Sequence, residues 1–264
     1  MNTANPPSPM LKSSFWGRSH YLDRMTFQQL VVAYFQHYTI IVYLGLAAAS
    51  AVVFAFNPAT LKETLGCIAL AIFAWPTAWY VLHRWVLHGS WMYKIPSMAK
   101  TWKRIHYDHH QDPNHLEVLF GALSNTLPTI AVISLPTGYL IGGVGGAAVT
   151  FGWVLLLTCY NEFIHCIQHL SFKPRWKLIA NMKARHLAHH FHDENGNYGI
   201  ANLLWDRALG TLYDKKDRPK RSPTVFNLGY DAAQAAKYPW VAALSGGVAS
   251  NGPVRRKPSG EAGV

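Results

Sequence analysis

The sequence predicts an all-α integral membrane protein, with four transmembrane helices in two hairpins and a cytosolic helical cap carrying a histidine-rich dimetal site. Three observations predict it. Four apolar stretches, at about 38–56, 65–82, 118–135 and 140–160, each approach the length of a bilayer core. Only 14% of the 264 residues are charged, against about 25% in ordinary soluble domains. Twelve of the fourteen histidines lie between His83 and His192, crowded against the ends of those stretches.

The chain divides into an N-terminal segment (1–25), a single membrane domain (26–240) and a tail (241–264). Residues 1–25 are polar, contain Pro and Ser, and lack the apolar run of a signal peptide; they are expected to be flexible, with the first span directing insertion. Thr26 is placed to cap a helix that begins amphipathic over Phe27–Gln36 and continues into the apolar run Tyr38–Phe56. Asn57-Pro58 ends that run, and Leu65–Leu82 forms the second span with Pro76 inside it. From Val118 to Tyr160 there is no Lys, Arg, Asp or Glu, and Pro136-Thr137-Gly138 is the turn signal that divides this run into the second hairpin. Gly142 and Gly146, four apart, allow another helix to pack closely. The cap comprises residues 83–117 and 161–240, with helical spacing over Trp176–Phe191, a break at Asn195-Gly196-Asn197 and a short helix at Ala201–Ala208. The Gly-, Ser- and Pro-rich tail is expected to be disordered. Cys67, Cys159 and Cys166 are odd in number and apolar in setting, so they form no disulfide framework.

Charge sets the orientation. The net charge is +11, yet of 24 Lys and Arg only Lys62 falls in a loop on the far side of the two hairpins. The positive-inside rule therefore puts both termini and all the histidine motifs on the cytoplasmic side, in a bacterial inner membrane or an ER membrane. Basic residues mixed with Trp and Tyr over 90–115 suit a helix at headgroup level; a nucleic-acid surface has a similar composition, but two adjoining spans exclude that class here.

Ten histidines form four motifs: His83-x4-His88, His106-x2-His109-His110, His165-x3-His169 and His186-x2-His189-His190. Neutral imidazole is the commonest protein ligand for borderline metals, and ten ligands exceed the need of one tetrahedral ion, so two ions are expected. At ~100° per residue, the second, third and fourth motifs each fall on one helix face. The first does not, since an i, i+5 pair is ~140° apart, and its convergence needs a helix end or bend, which Gly89 permits. Asp108, Asp112 and Asp193 neighbour ligands and are candidates to orient them from behind. Glu162 stands three residues before His165; it either orients that ring or is a helix-end carboxylate facing the basic cap.

The order, spacing and placement of these motifs resemble the fatty acid hydroxylase / sterol desaturase superfamily of membrane-bound histidine-rich di-iron oxygenases. The likeness runs from about Tyr80 to Tyr213. His186–Phe191, Asn197-Tyr198-Gly199, Trp205-Asp206-Arg207 and Gly210-Thr211 look most like the fatty acid 2-hydroxylase branch. The third motif has three intervening residues where carotene hydroxylases usually show four.

The resemblance implies O2-dependent hydroxylation of a lipid C–H bond, with two electrons from outside and water as co-product. It makes the ten motif histidines ligands of two iron ions, with zinc possible in isolated protein, and adds Asn197 and Tyr198 as supports. His115 and His192 fall outside the pattern, and His20 and His37 are read as interfacial. Eukaryotic fatty acid 2-hydroxylases often carry a fused cytochrome b5 domain. This sequence shows no haem-binding module, so a separate donor is expected, of cytochrome b5, ferredoxin or reductase type.

The favoured substrate is a fatty acyl or sphingolipid chain oxidised near its polar end. Sterol oxidation or desaturation and carotenoid hydroxylation remain alternatives within the superfamily. A dizinc hydrolase gains little from an apolar access path. A metal transporter would want ionisable groups within the spans, which they lack.

Overall fold

The computed structural model describes residues 20–248 and residue 252. Every named element among them is helical, apart from one isolated bridge pairing Tyr21 with His115. The elements are α1 (Phe27–Gln36), α2 (Tyr38–Phe56), α3 (Leu61–Val81), α4 (Trp91–Lys94), α5 (Pro96–Trp102), α6 (Asp108–Gln111), α7 (Leu116–Leu119), α8 (Leu123–His169), α9 (Lys177–Phe191), α10 (Leu204–Ala208), α11 (Ala232–Lys237) and α12 (Trp240–Ser245). Three segments are long and apolar enough to cross a membrane: Tyr38–Phe56, Leu61–Leu87 and Leu116–His169.

Thr26 caps α1 as its sequence suggests: its hydroxyl accepts from Gln29 N while the Gln29 side chain takes Thr26 N. The helix does not run on into the apolar stretch. It breaks at His37, whose ring Nδ1 accepts from Thr39 N and starts α2 afresh. An imidazole acceptor does here what Ser or Asn does at other N-termini.

The second apolar run corrects the expected turn. Pro136-Thr137-Gly138 stays inside α8, and the break falls at Gly142 and Gly143. Hydroxyls near the proline take up helix carbonyls, Thr137 Oγ1 donating to Ile133 O and Ser134 Oγ to Ile130 O, both at 2.7 Å. Gly143, at φ 59° and ψ −145°, occupies a region essentially closed to side chains. The arms 123–141 and 144–169 fold back on each other, so close that a Cβ on Gly138 would stand 2.4 Å from Gly146 O. Val118 and Leu119 belong to α7, so the apolar helix itself starts at Leu123.

Two cores result. One joins α1, α2, α3 and α8 through Leu30, Ile40, Trp75, Ile130 and Leu155. The other is built on α4, α5 and α12, where Tyr93, Trp102, Tyr107, Tyr230 and Val241 pack together. Burying Trp102 completely contributes roughly 4–6 kcal/mol, taking ~150–250 Å² at ~25 cal/mol per Å². Each core corrects one outer boundary, the second at the C-terminal end and the first at the N-terminal end. Residues 241–245 belong to α12 with Val241 fully buried, rather than to a tail. Likewise, residues 20–25 are tied down by Leu22 N donating to Asn114 O at 2.8 Å and by a fully buried Leu22. Residues 1–19, 249–251 and 253–264, where flexibility or disorder was expected, lie outside the described residues. All three cysteines are buried and free.

Candidate metal centre

The motifs converge because each backbone delivers its rings to one place. The first pair is brought together by a π-helical turn over Leu82–Leu87, continuing α3, in which His88 N donates to His83 O at 3.1 Å. That i→i+5 bond widens the turn so that residues five apart share a face. A second π turn, Lys103–Tyr107, presents His106 just before α6 supplies His109 and His110. The third and fourth motifs ride on regular helix, His165 and His169 near the end of α8, and His186, His189 and His190 on α9. Lys183 secures the join: its ammonium donates to Leu170 O and Phe172 O just past the buried C-terminal end of α8.

All ten motif histidines meet. Four of them (His83, His88, His106, His189) place ring nitrogens within 4.8 Å of one another, and five (His109, His165, His169, His186, His190) do the same beside them. His110 stands between, grouped with His189 of the first set and His190 of the second. Facing nitrogens lie 2.8 Å apart for His88 and His106, 3.1 Å for His109 and His165, and 3.0 Å for His169 and His186. Two nitrogens bound at ~2.0–2.1 Å and at ~90–110° around one ion would stand ~2.8–3.4 Å apart.

Hydrogen bonding tests the same idea. His83 Nδ1 donates to Tyr198 O at 2.5 Å, His110 Nδ1 to Val225 O at 2.9 Å and His189 Nδ1 to Gly196 O at 2.8 Å. In each of these rings Nε2 is then left as a bare lone pair, buried and without a hydrogen-bond partner. On His109, His169 and His186, whose Nε2 atoms face other rings, Nδ1 is buried without a hydrogen-bond partner, and neither nitrogen of His190 has one. Each would cost about 1–3 kcal/mol if nothing bound it. Burial, reinforced by neighbouring imidazoles, holds His88, His106, His109, His186, His189 and His190 well below the ordinary histidine range. Burial alone dominates at His110, pushed down to about 3. Neutral, lone-pair-bearing rings in two nests are a donor set that fits two borderline metal ions.

The other sequence candidates fall elsewhere. Asp108 pairs with Lys103 at 2.7 Å, Asp193 with Arg218 at 2.5 Å, and Asp112 lies 4.0 Å from His115 Nδ1. Glu162 is buried with Oε2 3.9 Å from His165 Nδ1, too far for a hydrogen bond, and it faces a cavity. Asn197 and Tyr198 do stand behind the ligands, but through the backbone. Asn197, at φ 55°, shapes the loop by bonding Tyr213 N and Tyr213 O, and Tyr198 contributes its carbonyl. His192 bonds the Arg218 carbonyl, His20 and His115 flank Glu117, and His37 packs at a tilt against Phe120.

Asp206 escaped the sequence reading as a support. Completely buried, it accepts from Tyr198 N (2.9 Å), Gly199 N (2.7 Å) and Thr211 Oγ1 (2.6 Å), and so fixes the carbonyl that orients His83. Its place in Trp205-Asp206-Arg207 was the available signal. The Gly196 and Val225 carbonyls have no side-chain signature to find.

A cavity of about 130 Å³ opens onto this centre. Trp75 and Trp79 of α3, Leu82 at the start of the first π turn, and Thr129, Ile130 and Thr158 of α8 line it together with His83, His106, His109, His165 and His190. Both nests thus show an edge to one apolar space that begins among the candidate spans.

Comparison with known proteins agrees in kind. The family model for fatty acid hydroxylases matches residues 68–211. Fatty acid 2-hydroxylase of Macaca fascicularis is 28% identical over 59% of this chain and 41% of its own length. Dihydroceramide fatty acyl 2-hydroxylase of Arabidopsis thaliana is 29% identical over 58% of this chain and 63% of its own. The chain therefore spans less than two thirds of these relatives. Among solved structures, full-length Scs7p, in which only the hydroxylase domain is visible, superposes with a TM-score of 0.54 at 20% identity, covering 80% of this chain and 74% of that one.

Proposed function

Because the chain belongs to the fatty acid hydroxylase family, we propose that it hydroxylates a lipid C–H bond, on a fatty acyl or sphingolipid chain close to its polar end. The observation that carries the reading is the cavity, apolar along α3 and α8 and lined also by histidines of both nests. In this reading the ten motif histidines would hold two iron ions, and the chemistry those would supply is oxidation by O2 with two electrons from a separate donor. The chain's own residues do the rest. Trp75, Trp79 and Ile130 exclude water from the acyl chain, and the carbonyls of Tyr198, Gly196 and Val225 fix three rings so that their free nitrogens point inward. The arms 123–141 and 144–169 are read as separate crossings, giving four spans. The strong Lys/Arg asymmetry supports a cytoplasmic position for the centre and both termini in this reading. A lipid whose head lies at the cap would then present its first chain carbons to the centre while its tail stays between α3 and α8.

The test is isotopic. Purified protein loaded with Fe(II), given a reductant and a saturated acyl lipid under labelled O2, should form product carrying one labelled oxygen. Product formed without O2, or labelled from water instead, overturns the reading in favour of a hydrolase.

A further inference from the structure

Two groups of exposed basic residues have different surroundings. Lys94 and Lys100 stand among the exposed Trp91, Ile95 and Met98, and Lys173, Arg175 and Lys177 among the exposed Phe172, Trp176 and Leu178. Cations interleaved with apolar anchors belong at a headgroup layer. The segment 214–221 is different. Lys215, Lys216, Lys220 and Arg221 are exposed, yet among the described residues no large hydrophobic side chain is exposed between Leu209 and Leu244. Nothing in that stretch would enter a membrane. Its acids are engaged locally, Asp214 with Arg185 at 3.1 Å and Asp217 with the Asp214 amide at 2.9 Å. Lys215, Lys216 and Lys220 have no ion-pair partner among the described residues.

This segment is also wired to the metal centre. The Arg218 carbonyl accepts from His192 Nε2 at 2.5 Å, and Ser222 N donates to His192 O at 2.8 Å. His192 is 5% exposed and lies two residues beyond His190. A few residues further on, Val225 O holds His110. One hydrogen bond and a short piece of backbone thus separate the uncompensated lysines from histidines of both nests.

We infer that segment 215–221 is the docking surface for an acidic one-electron carrier protein, with the Arg218–His192 contact as the point of electron entry. The inference rests on the oxygenase reading of the same centre. Each docked carrier gives up one electron and leaves oxidised. Two such encounters, with two protons from water and one O2, turn C–H into C–OH and release one water. Charge complementarity of this kind chiefly raises the encounter rate and falls with salt.

The probe is a plant-type [2Fe–2S] ferredoxin, an acidic carrier, with the full chain in nanodiscs of zwitterionic lipid. Wild-type protein should bind it with an affinity that declines steeply with salt. The triple variant Lys215→Glu, Lys216→Glu, Lys220→Glu should bind at least about tenfold more weakly and lose at least about tenfold in kcat/KM for ferredoxin. Its turnover driven by dithionite should stay within about twofold of wild type, showing that fold and centre are intact. The control Lys173→Glu, Arg175→Glu, Lys177→Glu should bind ferredoxin like wild type. Unchanged ferredoxin affinity in the first variant, absent binding by wild type, or an effect seen only in anionic discs overturns the docking surface, the last in favour of a lipid contact. Absence of turnover with every reductant would count against the oxygenase reading alone, because the binding measurement stands by itself.

Discussion

The two histidine nests share a wall but rest on different kinds of backbone. The five-ring nest is built mainly on regular helix: His165 and His169 are four apart on α8, His186 and His190 four apart on α9, with His109 added from α6. The four-ring nest depends on a π turn for His83 and His88, on a second π turn for His106, and on loop carbonyls at 196 and 198 to aim His189 and His83. The outer nitrogens of His109, His169, His186 and His190 have no such hydrogen-bond partners. Helix geometry alone sets rings in the first case; in the second, a loop must be held before the rings are. The two nests should therefore fail in different ways.

The largest effect is expected where they meet. His190 belongs to the five-ring nest and also to the trio with His110 and His189. His190→Ala should lower the affinity of both proposed ions by more than ~100-fold, beyond the loss seen when an outer hydrogen-bond partner is removed. Elemental analysis should find less than one ion per chain where two are expected in wild type, with the proposed lipid hydroxylation abolished. Two ions retained in a folded variant would mean the nests are independent.

The same contrast explains what could be read from the sequence. The regular-helix motifs announced themselves, because i, i+3 and i, i+4 spacing states directly which residues share a face. The spacing of His83 and His88 predicted divergence, and a π turn supplies the convergence, a backbone form with no reliable local signature. Spans were legible from apolar length, but Pro-Thr-Gly at 136–138 competed with Gly142-Gly143 for the turn, and hydroxyl back-bonding kept the proline helical. The carboxylates beside the ligands were the natural candidates for orienting them. Backbone carbonyls took that place at three rings, and carbonyls are the same in every residue.

Asp206→Asn separates the nests. The substitution keeps the size of the side chain but turns an amide towards the N–H of Tyr198 or Gly199, so one acceptor is lost beneath the loop. The four-ring nest should lose ~10–100-fold in metal affinity, while the five-ring nest keeps its ion. Metal content should fall from two ions to one, with the helical circular dichroism signal unchanged. Loss of both ions would show that the loop supports the whole centre.

The smallest effect is expected one step further out, at Tyr80. Its hydroxyl lies 2.8 Å from Thr211 Oγ1 and accepts from Arg84 at 3.2 Å, and Thr211 in turn donates to Asp206. The chain from Arg84 to Asp206 thus ties the end of α3 to the loop that aims His83, with a charge at each end. Tyr80→Phe removes the middle hydroxyl but leaves Asp206 its two amide donors, so the loop should hold its shape with less stiffness. A single internal hydrogen bond contributes ~1 kcal/mol, which corresponds to a roughly fivefold weaker ion in the four-ring nest. Competition with a graded chelator should resolve that shift, with the five-ring nest unaffected and the ion count still two in excess metal. A weakening confined to the five-ring nest would break the comparison, because no bond in this chain reaches it.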